Sequence, residues 1–436
     1  MSRATPRLTD YASVTDYLFA LKAGGVKFGI DRMRRLSAAL NHPERSYPVV
    51  HIAGTNGKGS VAAMIESIVR AADRRTGLYT SPHLVKLGER VQVDRRLLTE
   101  AEIVAYTAEL QPVADEISAF SPDEQPTFFE FMTAMAFLQF QRKQVELAVI
   151  EVGMGGRLDA TNVVEPDVTV ITSIGLDHCA ELGSTHAAIA REKAGIIKPG
   201  VPVVIGLMPE EAERVVREVA ASNNAPIHSV REVFGPGRTD YPATNLEGDY
   251  QRWNAATAAM AAGLLTKNVG PSVDAIAYGL THVNWPGRWQ RTSIGGKKLI
   301  LDASHNPEGA AMLEQNLERL FTETGRKPVV VAAALGEMRA RALLAVLVRF
   351  AKEIHLITPR QARATPFEEM KAFVSDEQRH LVHRATVEGI FPDAVTCSVG
   401  GPDDTIVVTG SIYLLGEVLE RIEPGRGAGE GRLQDF

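Results

Sequence analysis

Short apolar runs alternate with longer stretches of helical spacing along most of the chain. Val49–Ala53 is a run rich in β-branched residues, glycines follow it, and apolar residues resume at helical spacing over 61–65. This pattern predicts a buried strand, a tight turn and a helix. Further buried strands are predicted at 147–152, 168–172 and 201–205, and a short one at 76–80 leading into a loop. Helices are expected at 132–141 and 187–197, and over 15–40 with a break at Gly24-Gly25. Thr99-Glu100-Ala101-Glu102 reads as an N-cap with an acidic first turn, opening a helix to about Ala119.

The alternation breaks at Asn284-Trp285-Pro286-Gly287-Arg288-Trp289 and then starts afresh. Strands are predicted at 299–302, 329–333, 354–357 and 406–408, with helices at 308–321 and 340–350. Strands and helices in this rhythm imply βαβ units and a mostly parallel sheet, so the fold class is α/β. The predicted division is an N-terminal domain 1–285, a linker 286–297, a smaller C-terminal α/β domain 298–423 and a disordered tail 424–436.

Length and composition narrow the setting. A chain of 436 residues is too long for one core. Its hydrophobic fraction of 45% and charged fraction of 23% are those of an ordinary globular protein. A formal net charge of -6 supplies no basic excess for neutralising a nucleic acid. The two cysteines, Cys179 and Cys397, match no metal or redox spacing, and a reducing cytoplasm is expected. Neither a signal-peptide pattern nor an apolar run of membrane-spanning length is seen, so no membrane partner is expected.

The chemistry centres on Gly54-Thr55-Asn56-Gly57-Lys58-Gly59-Ser60 between strand and helix. Backbone N–H groups and a helix N-terminus there face an anion, and glycines let the chain approach it. The spacing departs from the common phosphate-loop pattern, since only Thr55 and Asn56 separate Gly54 from Gly57 and Gly59 stands between Lys58 and Ser60. A bare glycine turn is the plain alternative. Ser81, Glu151 and His178 all fall at the carboxyl ends of predicted strands, where ligands sit in parallel sheets. A carboxylate ending an apolar strand needs a cation or donor, which makes Glu151 a candidate Mg²⁺ ligand or one half of a salt bridge. Taken singly, Lys193 reads better as an ordinary exposed lysine, and Asn254, Arg288, Asp302 and His305 read equally well as turn residues.

Taken together these segments resemble the folylpolyglutamate synthase/dihydrofolate synthase family of Mur-type ligases. The resemblance rests on residues 54–60, Thr80-Ser81-Pro82-His83-Leu84, residues 151–162, Leu176-Asp177-His178, residues 193–198, Gly248-Asp249-Tyr250-Gln251, Trp285-Pro286-Gly287-Arg288, residues 302–307 and Thr409-Gly410-Ser411, in family order. It implies a Mur-ligase-like ATPase domain, a Rossmann-like glutamate ligase domain, and a monomer. It also implies an ATP-dependent ligase that joins L-glutamate to dihydropteroate, tetrahydrofolate or both through an acyl phosphate. By resemblance Gly57, Lys58, Gly59 and Ser60 hold the triphosphate, and Ser81, Glu151 and His178 hold two Mg²⁺ ions. Lys193 matches a lysine that the family carbamylates. Asn254, Arg288 and Asp302 match ATP contacts, and His305 lies in a loop near phosphate. Thr127, Phe128, Phe129 and Glu130, with Leu158, Asp159 and Ala160, match segments that hold the pterin. The chain departs from the family in having Gly336-Glu337-Met338-Arg339 where an Asp-Lys-Asp-like turn is usual, and in a short 234–248 segment expected to lack a hairpin. The alternatives are a Mur-type ligase for another carboxylate and a non-catalytic nucleotide switch; retention of Glu151, His178 and Lys193 together speaks against the switch.

Overall fold

Two sheets organise the chain in the computed structural model, which describes residues 8–23, 27, 29–119, 121–235, 240–265, 269–426 and 430. The first contains β1 (Val49–Ala53), β2 (Thr76–Tyr79), β3 (Val91–Val93), β4 (Arg96–Leu97), β5 (Leu147–Glu151), β6 (Val168–Ile171), β7 (Val203–Ile205) and β8 (Ile227–Ser229). Their order is β4-β3-β2-β5-β1-β6-β7-β8. Strands β2, β5, β1, β6, β7 and β8 pair in parallel, while β3 and β4 turn back antiparallel at one edge. The second sheet holds β9 (Gln290–Ile294), β10 (Lys297–Leu301), β11 (Val329–Ala332), β12 (Glu353–Leu356), β13 (Val382–Arg384) and β14 (Thr405–Thr409). Its order is β13-β12-β11-β14-β10-β9, parallel except for β9.

Helices cover both faces of each sheet, which is why the central strands are unbroken apolar runs. Every residue of β1 and β5 is buried. One face of the first sheet packs on helix Lys58–Ala71, which is backed by helices Asp249–Gly263 and Val273–Thr281. Met64, Ile65 and Ile68 meet Ala258, Ala261 and Ala262 in that cluster. The other face is filled by Phe131, Phe137 and Phe140 of helix Phe128–Arg142. Leu84 and Val85, from the loop after β2, are buried in the second sheet's cluster with Leu299 and Leu415. That insertion ties the two lobes together beside Ser81.

Several expected boundaries move. Strand β9 lies inside the segment expected to be a linker, because it closes a hairpin on β10 through Gly295-Gly296. Helix Phe128–Arg142 starts four residues before its expected start: Thr127 Oγ1 accepts from the Glu130 amide, and Glu130 accepts from the Thr127 amide. Residues 337–339 form the first turn of helix Glu337–Phe350, with Gly336 at its N-cap, rather than a turn of their own. No strand occurs among the described residues of 234–248. In the tail expected to be disordered, Pro424–Arg426 is a 3₁₀ turn and Glu430 bonds to Tyr11 and to the Leu87 amide; residues 427–429 and 431–436 lie outside the described residues, as do Gly24 and Gly25. Among the described residues no helix is long and apolar enough to cross a membrane.

Candidate functional site

Four neighbouring strands, β2, β5, β1 and β6, deliver their carboxyl ends to one place. Ser81 follows β2, Glu151 ends β5, residues 54–60 follow β1, and residues 172–178 follow β6. The loop after β1 is laced to the loop after β6. The Thr55 amide donates to the Ser173 carbonyl at 2.8 Å, the Asn56 amide to Ser173 Oγ at 3.0 Å, and Thr172 Oγ1 to the Asn56 carbonyl at 2.7 Å. Gly54 permits this contact, because a Cβ there would lie 1.9 Å from Thr172 Oγ1. Gly57 has φ +85°, and helix Lys58–Ala71 begins directly after it, so its first amides point outward without intrahelical acceptors.

Glu151 is buried beside this loop. Its carboxyl accepts the Ser81 amide at 3.3 Å and lies 3.9 Å from Lys58 Nζ. Burial pushes its pKa up to about 6 against the pull of Lys58, the Ser81 amide, Arg288 and Arg90. The Ser81 hydroxyl is buried with no hydrogen-bond partner. Lys193, near the end of helix His186–Ala194, is also buried, and its Nζ donates to the Gly54 carbonyl at 2.9 Å. Burial, with Lys58 adding to it, lowers this amine to about 7. His178 stands in a left-handed conformation at φ 51°, its amide donating to Asp177 Oδ1, and burial lowers its imidazole pKa.

The second lobe closes the site. Gly54, Thr55, Asn56, Gly57, Lys58, Gly59, Ser60, Ser81, Glu151, His178, Lys193, Asn254, Arg288, Asp302 and His305 all line one cavity of about 590 Å³. Asp302, following β10, is anchored by the amides of Trp289 and Ser304, each at 3.2 Å. His305 Nδ1 donates to the Ala303 carbonyl at 2.8 Å, leaving Nε2 as an acceptor, and burial holds the ring down to about 4. Asn254 donates to Gln251, and Arg288 Nη1 to its neighbour's carbonyl. Asp177 accepts from Arg339 of the second lobe at 2.6 Å. Burial alone would raise the Asp177 carboxyl, but Arg339, His178 and His305 hold it well below the usual carboxylate range.

Thr127, Phe128, Phe129, Glu130, Leu158, Asp159 and Ala160 line an adjoining recess of about 70 Å³, which shares Met154, Gly155 and Lys22 with the main cavity. Several of these residues already have structural tasks. Asp159 accepts from the Met154 and Thr161 amides and caps the short turn that follows it. Glu130 closes the helix cap and accepts from Arg32 at 3.2 Å. Phe128 is fully buried with the Arg90 guanidinium 5.1 Å from its ring centroid, whereas the Phe129 ring lies against Gly153.

The donor set suits a hard cation. Ser81 Oγ is an unpartnered buried oxygen beside a carboxylate that has only a long amide bond and a distant ammonium, and Mg²⁺ prefers such oxygens. Among the described residues no three His, Cys, Asp or Glu side chains converge into a cage. Mg²⁺ is commonly held by one or two carboxylates together with substrate phosphates, and that is the arrangement available here.

The Mur ligase middle domain model matches residues 52–232, and the Mur ligase glutamate ligase domain model matches residues 287–412. A dihydrofolate synthase/folylpolyglutamate synthase of Bacillus subtilis is 34% identical over 95% of this chain and 100% of its own length. The chain belongs to the folylpolyglutamate synthase/dihydrofolate synthase family. Among solved structures, Mycobacterium tuberculosis folylpolyglutamate synthase complexed with ADP and AMPPCP superposes with a TM-score of 0.81 and 30% identity, covering 94% of this chain and 98% of that one. A bifunctional folylpolyglutamate synthase/dihydrofolate synthase with Mn, AMPPNP and L-glutamate bound superposes with a TM-score of 0.79 and 29% identity, covering 96% and 99%.

In this family member the cavity also takes in residues that sequence reasoning passed over. Lys22, Arg363 and Tyr413 line it, as does Arg339, known beforehand only as part of an atypical turn. Local pattern carries no signal for them: each is an ordinary polar or aromatic residue on a helix or loop, brought in by tertiary packing.

Proposed function

We propose that this chain is an ATP-dependent carboxylate–amine ligase that adds L-glutamate to a pterin or folate acid, acting both as dihydrofolate synthase and as folylpolyglutamate synthase. The observation that carries the reading is the buried, unpartnered Ser81 hydroxyl beside Glu151, at strand ends flanking a glycine-rich phosphate loop. One hydroxyl and one carboxylate would serve a nucleotide switch as well, but a switch has no need of the two-metal site that Ser81, Glu151, His178 and Lys193 would make together. The acid enters through the recess at Phe129 and Leu158, and the triphosphate lies along residues 57–60, with Asn254, Arg288 and Asp302 contacting the nucleotide.

The acid's carboxylate oxygen attacks the γ-phosphorus, the bond to the bridging oxygen breaks, and ADP leaves behind an acyl phosphate. Lys58 and the outward-facing amides meet the charge on the transferring group. Nitrogen of L-glutamate then attacks the acyl carbon, the carbon–oxygen bond to phosphate breaks, and the amine's proton departs as the amide forms. Ser81, Glu151, His178 and carbamylated Lys193 would hold two Mg²⁺ ions, which neutralise phosphate charge when bound. His305 Nε2, uncharged at neutral pH, faces the same space as a hydrogen-bonding group. Enclosure between two lobes keeps water from the anhydride.

Purified protein supplied with ATP, Mg²⁺, L-glutamate and either dihydropteroate or tetrahydrofolate should release phosphate only when all substrates are present. Release with one folate acid alone restricts the enzyme to a single activity. Release without acid or glutamate overturns the ligase reading.

A further inference from the structure

Arg339 and Asp177 come from different lobes, 162 positions apart, and meet through Nη2 and Oδ1 at 2.6 Å. Their side chains are only 20% and 9% exposed. The bond joins a longer chain of contacts. Asp177 Oδ2 accepts from Asn306 Nδ2 at 3.2 Å, and Asn306 Nδ2 also reaches Asn56 Oδ1 at 3.0 Å, while Asn56 Nδ2 returns a bond of 3.3 Å to Asn306 Oδ1. On the other side, Asp177 Oδ1 accepts the His178 amide at 3.0 Å, fixing a residue whose backbone is left-handed. Arg339 lies in the first turn of helix Glu337–Phe350, and Asn306 is the N-cap of helix Pro307–Thr324. The two second-lobe partners of Asp177 are therefore carried by helix starts, and what they hold are His178 and the phosphate loop of the first lobe.

We infer that Arg339 is a positioning residue: through Asp177 it couples docking of the second lobe to the placement of His178 and Asn56. The inference rests on the ligase reading of this site. A charged hydrogen bond between largely buried partners is strong, and losing the guanidinium leaves the Asp177 carboxylate without its cation. Because Arg339 makes the bond through one nitrogen, a lysine can take its place. Arg339 also lines the cavity, so direct contact with the incoming amino acid is the competing role.

The test uses the full-length enzyme with Arg339→Met, Arg339→Lys, Asp177→Asn and the Arg339→Met/Asp177→Asn double variant. Arg339→Met should lower kcat by roughly tenfold or more with KM for ATP and for L-glutamate within about threefold of wild type, and Arg339→Lys should recover most of the loss. The double variant should be little worse than Asp177→Asn, since both changes break one link. Hydrogen exchange at amides 173–178 with AMPPNP bound should quicken in Arg339→Met and not in Arg339→Lys, a readout that needs no turnover. Wild-type kcat in Arg339→Met, fully additive losses in the double variant, or a rise in KM for L-glutamate alone would each overturn the inference. A wild type that makes no product from pterin and glutamate defeats the ligase reading instead, and the exchange data still decide the link.

Discussion

Lys193 Nζ donates to the carbonyl of Gly54, the first residue of the phosphate loop, at 2.9 Å, and its side chain is buried at the wall of the cavity. An ammonium there has lost its water and faces a second cation, Lys58, which is why its amine falls to about 7. The lowered pKa leaves more of this amine as the neutral nucleophile near neutral pH than an ordinary lysine has. Reaction with CO₂ would replace the cation by a carboxylate-like group among the proposed metal ligands. Lys193→Ala should lose roughly 10²-fold or more in kcat. A short carboxylic acid added to that variant should restore part of the rate, and the wild type should show a carbamate signal by carbon NMR in labelled bicarbonate. Absence of both rescue and signal rules the modification out.

Glu151 sets function against stability. Its pKa is raised to about 6 by burial, so the folded state binds its proton more tightly than the unfolded chain does. The group's stabilising contribution is complete below the ordinary carboxylate pKa and is lost as pH rises through about 6. At pH 7 without metal, the buried charge is therefore a cost. Glu151→Gln should raise metal-free stability by on the order of 1 kcal/mol, offset in part by the loss of Lys58's partner. The same change should cut activity by roughly 10²-fold or more and weaken the dependence on Mg²⁺. Urea unfolding in EDTA and a Mg²⁺ titration of kcat measure the two effects, and a drop in metal-free stability contradicts the first.

His51 gives a pH prediction away from the chemistry. It lies fully buried in the middle of β1, bonded through Nε2 to Thr161 Oγ1 at 2.8 Å, and burial with Lys198 nearby pushes it down to about 3. Between that value and the ordinary histidine pKa the unfolded chain holds a proton that the folded one refuses. Stability should then fall as pH drops from 6.5 toward about 3, by up to about 1.4 kcal/mol per pH unit from this group. His51→Gln should flatten the slope of the urea midpoint over pH 4.5–6.5, whatever it does to the midpoint itself. An unchanged slope refutes the assignment.

How much of this was legible in the sequence depended on local pattern. Strands β1, β5, β6 and β11 were readable because helices on both faces demand unbroken apolar runs. Strands β9 and β13 were not: Gln290-Arg291-Thr292-Ser293-Ile294 and Val382-His383-Arg384 lie at sheet edges, mostly exposed, with neither run nor alternation. Ser81, Glu151 and His178 could be picked out because they close apolar strands or follow them within a few residues. The Arg339–Asp177 pair could not, since no short-range pattern encodes a contact between lobes. Thr127 and Glu130 were recognised by resemblance alone, while their spacing also spells a helix cap, which is how the structure uses them.

Gly57 separates two reasons for a glycine in the phosphate loop. Its φ of +85° disfavours any side chain, and a Cβ would lie 2.5 Å from Asn254 Oδ1. The left-handed backbone alone costs an alanine roughly 1–2 kcal/mol. The clash adds to that cost, but only while Asn254 is present. Gly57→Ala should raise KM for ATP and lower the melting temperature, and Asn254→Ala should raise KM for ATP with little effect on melting. In the double variant the steric part is relieved and the backbone part remains, so the melting temperature should recover partway toward wild type while ATP binding stays weak. Thermal melts and ATP titrations of the three variants decide between these contributions. Complete recovery of the melt in the double variant would mean that contact with Asn254, and not the backbone angle, is what requires glycine at position 57.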